Sequence, residues 1–188
     1  MLMNMKIIKE LEDLQSEMQE WRRDIHAHPE IAFEEHRTAQ IVADKLESFG
    51  IEVETGIAGT GVVGTLRKGM GNRSIGLRVD LDALLINEIN DFDYNSKTPG
   101  QMHACGHDGH ATMLLGAAKY LSEQGNFDGT VNFIFQPAEE NEGGGRAMIE
   151  DGLFDKYPVE SIYGMHNIPG MPVGSFAIKP GPIMAAFD

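Results

Sequence analysis

The sequence predicts an α/β fold, a mixed and largely parallel sheet covered by helices on both faces. Three observations predict it. Amphipathic helical stretches alternate with short strand-like runs, those runs are bounded by Gly, Asn or Pro, and the 188 residues are 41% hydrophobic and 23% charged, the balance of a globular domain. A chain of this length buries roughly 70% of its unfolded surface, so it builds a core without staples. The single cysteine, Cys105, excludes an intrachain disulfide and fits a reducing cytoplasm. Fifteen Lys and Arg against 29 Asp and Glu leave a net charge of −14, a field that repels a phosphate backbone and excludes nucleic acid as a partner. No run of about 18 apolar residues offers a membrane span. Met1 to Leu14 is too polar for a secretory signal, so a cytoplasmic protein is expected.

From Ile7, apolar residues recur at Leu11, Leu14, Met18, Trp21 and Ile25, the three-and-four spacing of one buried helical stripe, and His28-Pro29 ends it. Ala39, Val42, Leu46 and Phe49 mark a second helix from about Glu34, with Gly50 placed for a left-handed C-terminal cap. Ile51 to Glu54, Gly61 to Leu66 and Ser74 to Leu81 read as strands. A third helix, from about Gly109 to Ser122, carries Met113, Leu114, Ala117, Ala118 and Leu121. After a turn at Asn126 to Gly129, Val131 to Phe135 is a central strand stopped by Pro137. A short helix, Gly145 to Asp151, and a strand, Ser161 to Met165, lead into His166. Phe176 to Ile178 reads as another strand and Pro180-Gly181-Pro182 as a turn. Residues 1–182 thus read as the N-terminal part of one domain, and Ile183 to Phe187 as the start of a further strand that no closing signal ends before Asp188.

Chemistry concentrates at four places. His103, His107 and His110, three of the seven histidines, crowd around Cys105. Cys105 and His107 on a Gly-punctuated turn can aim a thiolate and an imidazole at one point, which positions i and i+2 of a regular helix cannot do, and Gly106 and Gly109 permit the bend. A buried thiol beside helix-capping histidines satisfies the same residues. Glu139 and Glu140 follow Pro137, which breaks the strand, so both can face one cavity, one holding a cation and the other accepting a proton from water. A solvated acidic turn running into Glu142 and the Gly143 to Gly145 loop is the alternative. His166 ends a strand, where a lone histidine is commonly a hydrogen-bonded core residue. Asp80 and Asp82 fall on one strand face with Leu81 turned away. Two such carboxylates suit the orientation of ligand imidazoles, or Asp80 pairs with Arg78. Together Cys105, His107, His166 and Glu140 offer a partial shell for two divalent ions, with Glu139 spare. The thiolate favours zinc, while the nitrogen and oxygen donors leave manganese, cobalt or nickel open.

Several motifs occur in order along nearly the whole chain: Arg22-Arg23-Asp24-Ile25-His26-Ala27-His28-Pro29-Glu30, Arg78 to Leu84, His103 to His110, Pro137 to Glu142, and Gly164-Met165-His166-Asn167. At these residues the sequence resembles the hippurate hydrolase and indoleacetyl-amino-acid hydrolase branch of the aminoacylase/carboxypeptidase family of co-catalytic metallohydrolases. The resemblance implies a zinc-exopeptidase-like three-layer catalytic domain that hydrolyses a small N-acyl amino acid at a two-metal centre. It implies Cys105, His107, Glu140 and His166 as metal ligands, Glu139 as the general base that activates a metal-bridging water and later protonates the leaving amine, and Asp82 as a supporting carboxylate. Asp80 stands where the wider family has a histidine ligand, so ligation is not carried over to it. His26 and His28 are implied to be structural, hydrogen-bonded to the following loop.

The same resemblance implies parts beyond these residues. A lid and dimerisation domain, through which the family forms homodimers, would follow a strand like Ile183 to Phe187, and a late histidine would complete the metal site. On that reading the 188 residues alone are expected to expose apolar surface, bind metal weakly and hydrolyse little. A second reading is a truncated, non-catalytic fragment that binds metal and assembles with another chain. A third, a hydrolase with Cys105 as nucleophile, ranks lower because no oxyanion-stabilising group is identifiable and the carboxylates would be idle.

Overall fold

The structure is a computed structural model and describes residues 7–182. The first predicted helix divides at Leu14 into α1 (Lys9–Asp13) and α2 (Gln15–Ala27). Its stripe deepens along the chain: Leu11, Leu14 and Met18 are half-buried, Trp21 and Ile25 buried. Helix α3 (His36–Ser48) turns Ala39, Val42, Ala43 and Leu46 inward. It ends as expected, because Gly50 at φ +74° lets its own N–H reach the Glu47 carbonyl and the N–H of Ile51 reach that of Leu46.

Five strands form one sheet: β1 (Glu52–Ile57), β2 (Gly61–Lys68), β3 (Ser74–Asp80), β4 (Gly129–Gln136) and β5 (Ser161–Gly164), in the order β1-β2-β4-β3-β5. The sheet is mixed, as expected, but only two of its four pairings are parallel. β1 with β2 and β2 with β4 are antiparallel, whereas β4 with β3 and β3 with β5 are parallel. The tight turn after Ile57 forces the antiparallel hairpin, while the helix α4 (His107–Gln124) provides the crossover that a parallel β3–β4 pair requires.

The alternation of β4 divides the core into two layers. Val131, Phe133 and Phe135 pack with Ile25, Val42, Leu46 and Leu115 beneath α2, α3 and α4. Ile134 points the other way, joining Ile57, Val63, Met148 and Leu153 under α5 (Gly144–Glu150) and the short α6 (Leu153–Lys156), which the sequence did not disclose. The three-layer arrangement is therefore present.

Phe176 to Ile178 forms no strand among the described residues, and Phe176 and Ile178 are exposed. Their alternation provides a face but no neighbouring strand, and Pro172 and Pro180 interrupt the backbone donors on either side. The predicted run Ile183 to Phe187 lies outside the described residues. Apolar side chains are exposed on β5 and after it, including Ile162, Tyr163, Met165 and Ile168. No described helix is long and apolar enough to cross a membrane.

Candidate metal centre

Strands β3, β4 and β5 run in one direction, with Asp80 level with Gln136 and Arg78 level with Gly164. Their carboxyl ends therefore open on one edge of the sheet, the place where α/β folds collect ligands. Asp80 and Asp82 leave β3 there, Glu139 and Glu140 leave β4, and His166 leaves β5. Helix α4 starts two residues before its predicted position. Gly106 at φ +88° precedes it, so that His107 occupies the first helical turn while Cys105 remains outside.

His107 is the hub. It is fully buried, and its Nδ1–H donates to the backbone carbonyl of Asp82 at 2.8 Å, which leaves Nε2 as the free nitrogen. Around Nε2 stand Asp80 Oδ1 at 3.7 Å, Glu140 Oε1 at 3.7 Å and Glu139 Oε2 at 3.9 Å. His166 is tied in the same sense: its Nδ1–H donates to the Asn167 carbonyl at 2.6 Å, and Nε2 lies 3.3 Å from Cys105 Sγ. Three donor groups result, each with its atoms within 4.8 Å of one another: Cys105, His107 and His166; His107, Glu139 and Glu140; and Asp80, His107 and His110. The first two contain every residue expected to ligate, with Glu139 alongside. The third was not expected, and its Asp80 oxygens are already engaged by His110 Nδ1 at 2.6 Å and by Arg78 Nη1 at 2.8 Å. The pairing with Arg78 is thus realised.

Asp82 lies beyond the last residue of β3, so strand alternation does not align it with Asp80. The two carboxylates flank His107 instead, Asp82 Oδ1 standing 3.3 Å from Nδ1, and Asp82 Oδ2 accepts the backbone N–H of Glu140 at 2.9 Å. His110 accepts the backbone N–H of Asn167 at 3.1 Å, so the turn carrying His166 is held from α4.

The imidazoles and carboxylates at the site shift one another's ionisation. Burial disfavours the ionised form of Asp80, yet the His110 hydrogen bond and the charges of His107 and Arg78 outweigh it and hold the carboxyl at about 2. Burial would lower the His107 pKa, but Asp82, Asp80 and Glu140 together raise it. Burial, then Asp80, raises Glu139. Burial and the neighbouring Glu140 push the Cys105 thiol up to about 12. Among the described residues, His107 Nε2 and Glu140 Oε1 are buried with no hydrogen-bond partner. Two orphaned donor atoms that face each other across 3.7 Å fit a divalent ion.

Two supporting features were not legible in the sequence. Glu35, fully buried at the start of α3, accepts the Ala138 N–H at 2.8 Å and the Thr60 hydroxyl at 2.5 Å. Its place in the run Glu34-Glu35 looks like a solvated helix start, and no local signal marks a contact so distant in the chain. Asp108 accepts from His26 Nδ1 and from Arg22 Nε, both at 2.8 Å, while His26 Nε2 reaches Glu88 in the loop after β3 at 3.1 Å. His26 thus makes the expected hydrogen bond to a later loop, whereas His28 bonds back to the Asp24 carbonyl of its own helix. His103 packs its ring 6.4 Å from His26 and is held neutral by burial, which lowers its pKa to about 4.

The cluster around His26 makes a pH prediction. Asp108 raises the His26 pKa, burial opposes, and Glu88 adds to the rise, with Arg22 acting against it. The folded protein therefore holds the His26 proton above the unfolded value of about 6.5, so the stabilisation is complete below that value and is lost as pH rises through the raised one. Stability measured by urea unfolding is expected to fall as pH rises from about 6.5 through the raised value, with a slope of up to about 1.4 kcal/mol per pH unit from this group. His26→Phe should remove that component, and an unchanged slope would dissociate it from His26.

A buried imidazole, a half-buried thiol and nearby carboxylates converge at the carboxyl ends of a three-layer α/β sheet, a donor set that could hold metal ions. The chain belongs to peptidase family M20/M25/M40, whose profile matches residues 76–185. It is 51% identical to hippurate hydrolase of Campylobacter jejuni over 184 residues, covering 98% of this chain and 48% of that protein. It is 42% identical to an N-acyl-L-amino acid amidohydrolase of Geobacillus stearothermophilus over 180 residues, covering 95% and 48%. Among solved structures, the YXEP protein of Bacillus subtilis, described as a dinuclear metal-binding peptidase of the M20 family, superposes with a TM-score of 0.86 at 39% identity, covering 91% of this chain and 48% of that one. The chain spans about half the length of the curated relatives it matches.

Proposed function

We propose that the chain carries the metal-binding and proton-transferring side of an N-acyl-amino-acid amidohydrolase. The observation that carries this reading is the pair of orphaned buried atoms, His107 Nε2 and Glu140 Oε1, with the carboxylate of Glu139 beside them. Cys105, His107, Glu140 and His166 would hold two divalent ions, zinc or manganese, with cobalt or nickel as substitutes. Bound there, such ions supply Lewis acidity, which polarises an amide carbonyl and acidifies water. Glu139, free of any hydrogen bond among the described residues and with a pKa raised by burial, takes the proton from the attacking water. It returns that proton to the amide nitrogen as the C–N bond breaks, so a carboxylic acid and a free amino acid leave. Asp82 fixes both sides of this arrangement, through its carbonyl on His107 and its carboxylate on the Glu140 N–H.

The hippurate hydrolase and amidohydrolase relatives support an N-acyl amino acid as substrate. The test is metal content by elemental analysis together with release of glycine from hippurate, expected to be slow for these residues alone, and its loss on chelation. A protein without metal, or with turnover indifferent to a chelator, would overturn the proposal. The 3.3 Å contact of Cys105 Sγ with His166 favours one other reading, a cysteine nucleophile. A thiol held at about 12 among carboxylates is a poor nucleophile, and activity that survives chelation but not alkylation would restore that reading.

A further inference from the structure

We propose that Glu35 is a positioning residue: it holds the turn that presents Glu139 and Glu140 in register with His107. The inference rests on the reading of those two glutamates as base and ligand. The turn is unusual at Ala138, which is completely buried and sits at φ +50°, a left-handed conformation that a residue with a Cβ seldom adopts. Something must hold it there. The Ala138 carbonyl accepts the N–H of Gly144 at 2.9 Å, which closes the turn on itself. Gly144 is required for that closure, since a Cβ at its position would stand 1.8 Å from the Pro137 carbonyl oxygen.

The Ala138 N–H is buried, and among the described residues its acceptor is Glu35 Oε1 at 2.8 Å. The second oxygen of Glu35 accepts from Thr60 at 2.5 Å, and Thr60 is itself buried in the turn between β1 and β2. Two carboxylates from separate segments therefore clamp the acidic turn, Glu35 at Ala138 and Asp82 at Glu140. Glu35 forms no ion pair among the described residues. A buried carboxylate served only by neutral donors is an inefficient way to stabilise a core. It is an efficient way to fix the direction of one backbone N–H, and with it the two side chains that follow.

The test compares Glu35→Ala, Glu35→Gln and Thr60→Val in this protein. Glutamine keeps an acceptor for the Ala138 N–H and can donate to Thr60, so it should rescue what alanine loses. Amide hydrogen exchange followed by NMR is expected to rise at residues 138–144 in Glu35→Ala, with the amides of α2, α3 and α4 still protected, and to stay near the unsubstituted pattern in Glu35→Gln. Cobalt titration, read by the thiolate-to-cobalt absorption of Cys105, should show affinity about 10- to 100-fold weaker in Glu35→Ala, the usual range for a group that supports metal ligands. Glu35→Gln should bind close to normally, and Thr60→Val should fall between the two. Unchanged exchange at 138–144 in Glu35→Ala overturns the inference, as does a glutamine variant as impaired as the alanine one. If Glu35→Ala does not fold, the other two variants decide: turn protection reduced in Thr60→Val and kept in Glu35→Gln supports the role, and any other combination rejects it. A protein that shows no cobalt band at all would sink the metal reading, while the exchange data would still decide Glu35.

Discussion

Glu139→Gln is expected to lower kcat for release of glycine from hippurate, itself expected to be low for these 188 residues alone, by about 10²- to 10⁴-fold, the range that a positioned general base contributes, while metal affinity changes little. The two halves of that result follow from the environment of the side chain. Glu139 is 40% exposed and lies 3.9 Å from His107 Nε2, so it is near the donor atoms but makes no hydrogen bond that an amide would break. Burial and the nearby Asp80 raise its pKa, which makes it a better proton acceptor than an exposed carboxylate. Glutamine preserves its volume and removes its basicity. Glu140 provides the contrast, because its Oε1 is buried and orphaned and faces His107. Glu140→Gln should lower metal content as well as turnover. Measuring both quantities for both variants separates base from ligand: full turnover in Glu139→Gln ends the general-base assignment, and equal loss of metal in the two variants would make Glu139 a ligand.

The parts of the site that could be read in the sequence are those within short segments. Cys105 and His107, Glu139 and Glu140, and Asp80 and Asp82 are neighbours in the chain, and the glycines and proline beside them already indicate irregular backbone. Strand and helix periodicity likewise identified the inward faces, as with Val131, Phe133 and Phe135 of β4. Periodicity reports which face is buried and is silent on which strand lies alongside. For that reason it cannot count how many pairings are parallel, and at Phe176 to Ile178 it predicts a strand that has no partner among the described residues. Glu35 was illegible for a related reason. Its meaning is set by Ala138, 103 residues away, and nothing about a glutamate before a helix distinguishes a clamp from a solvated cap. The displaced start of α4 is a smaller case, since Gly106 reads equally well as a loop residue and as the left-handed position that precedes a helix.

His107→Ala should abolish the stabilisation of the protein by divalent metal. A ligand that binds only the folded state at 100 times its Kd adds about 2.7 kcal/mol, which for a domain of this size raises Tm by roughly 5–10 °C. Zinc or manganese is expected to produce a rise of that order in the unsubstituted protein. His107 is the decisive residue because all three donor groups contain it, whereas Cys105, His166 and Glu140 each belong to one. Its role as a donor also depends least on side-chain adjustment, since the ring is fully buried and oriented by the Asp82 carbonyl. A chain with a net charge of −14 attracts cations non-specifically, and this competing effect has its own signature: it weakens with added salt and does not depend on one imidazole. If the Tm rise persists in His107→Ala and fades with salt, the cations are held by the acidic surface, and the donor set around His107 does not bind them.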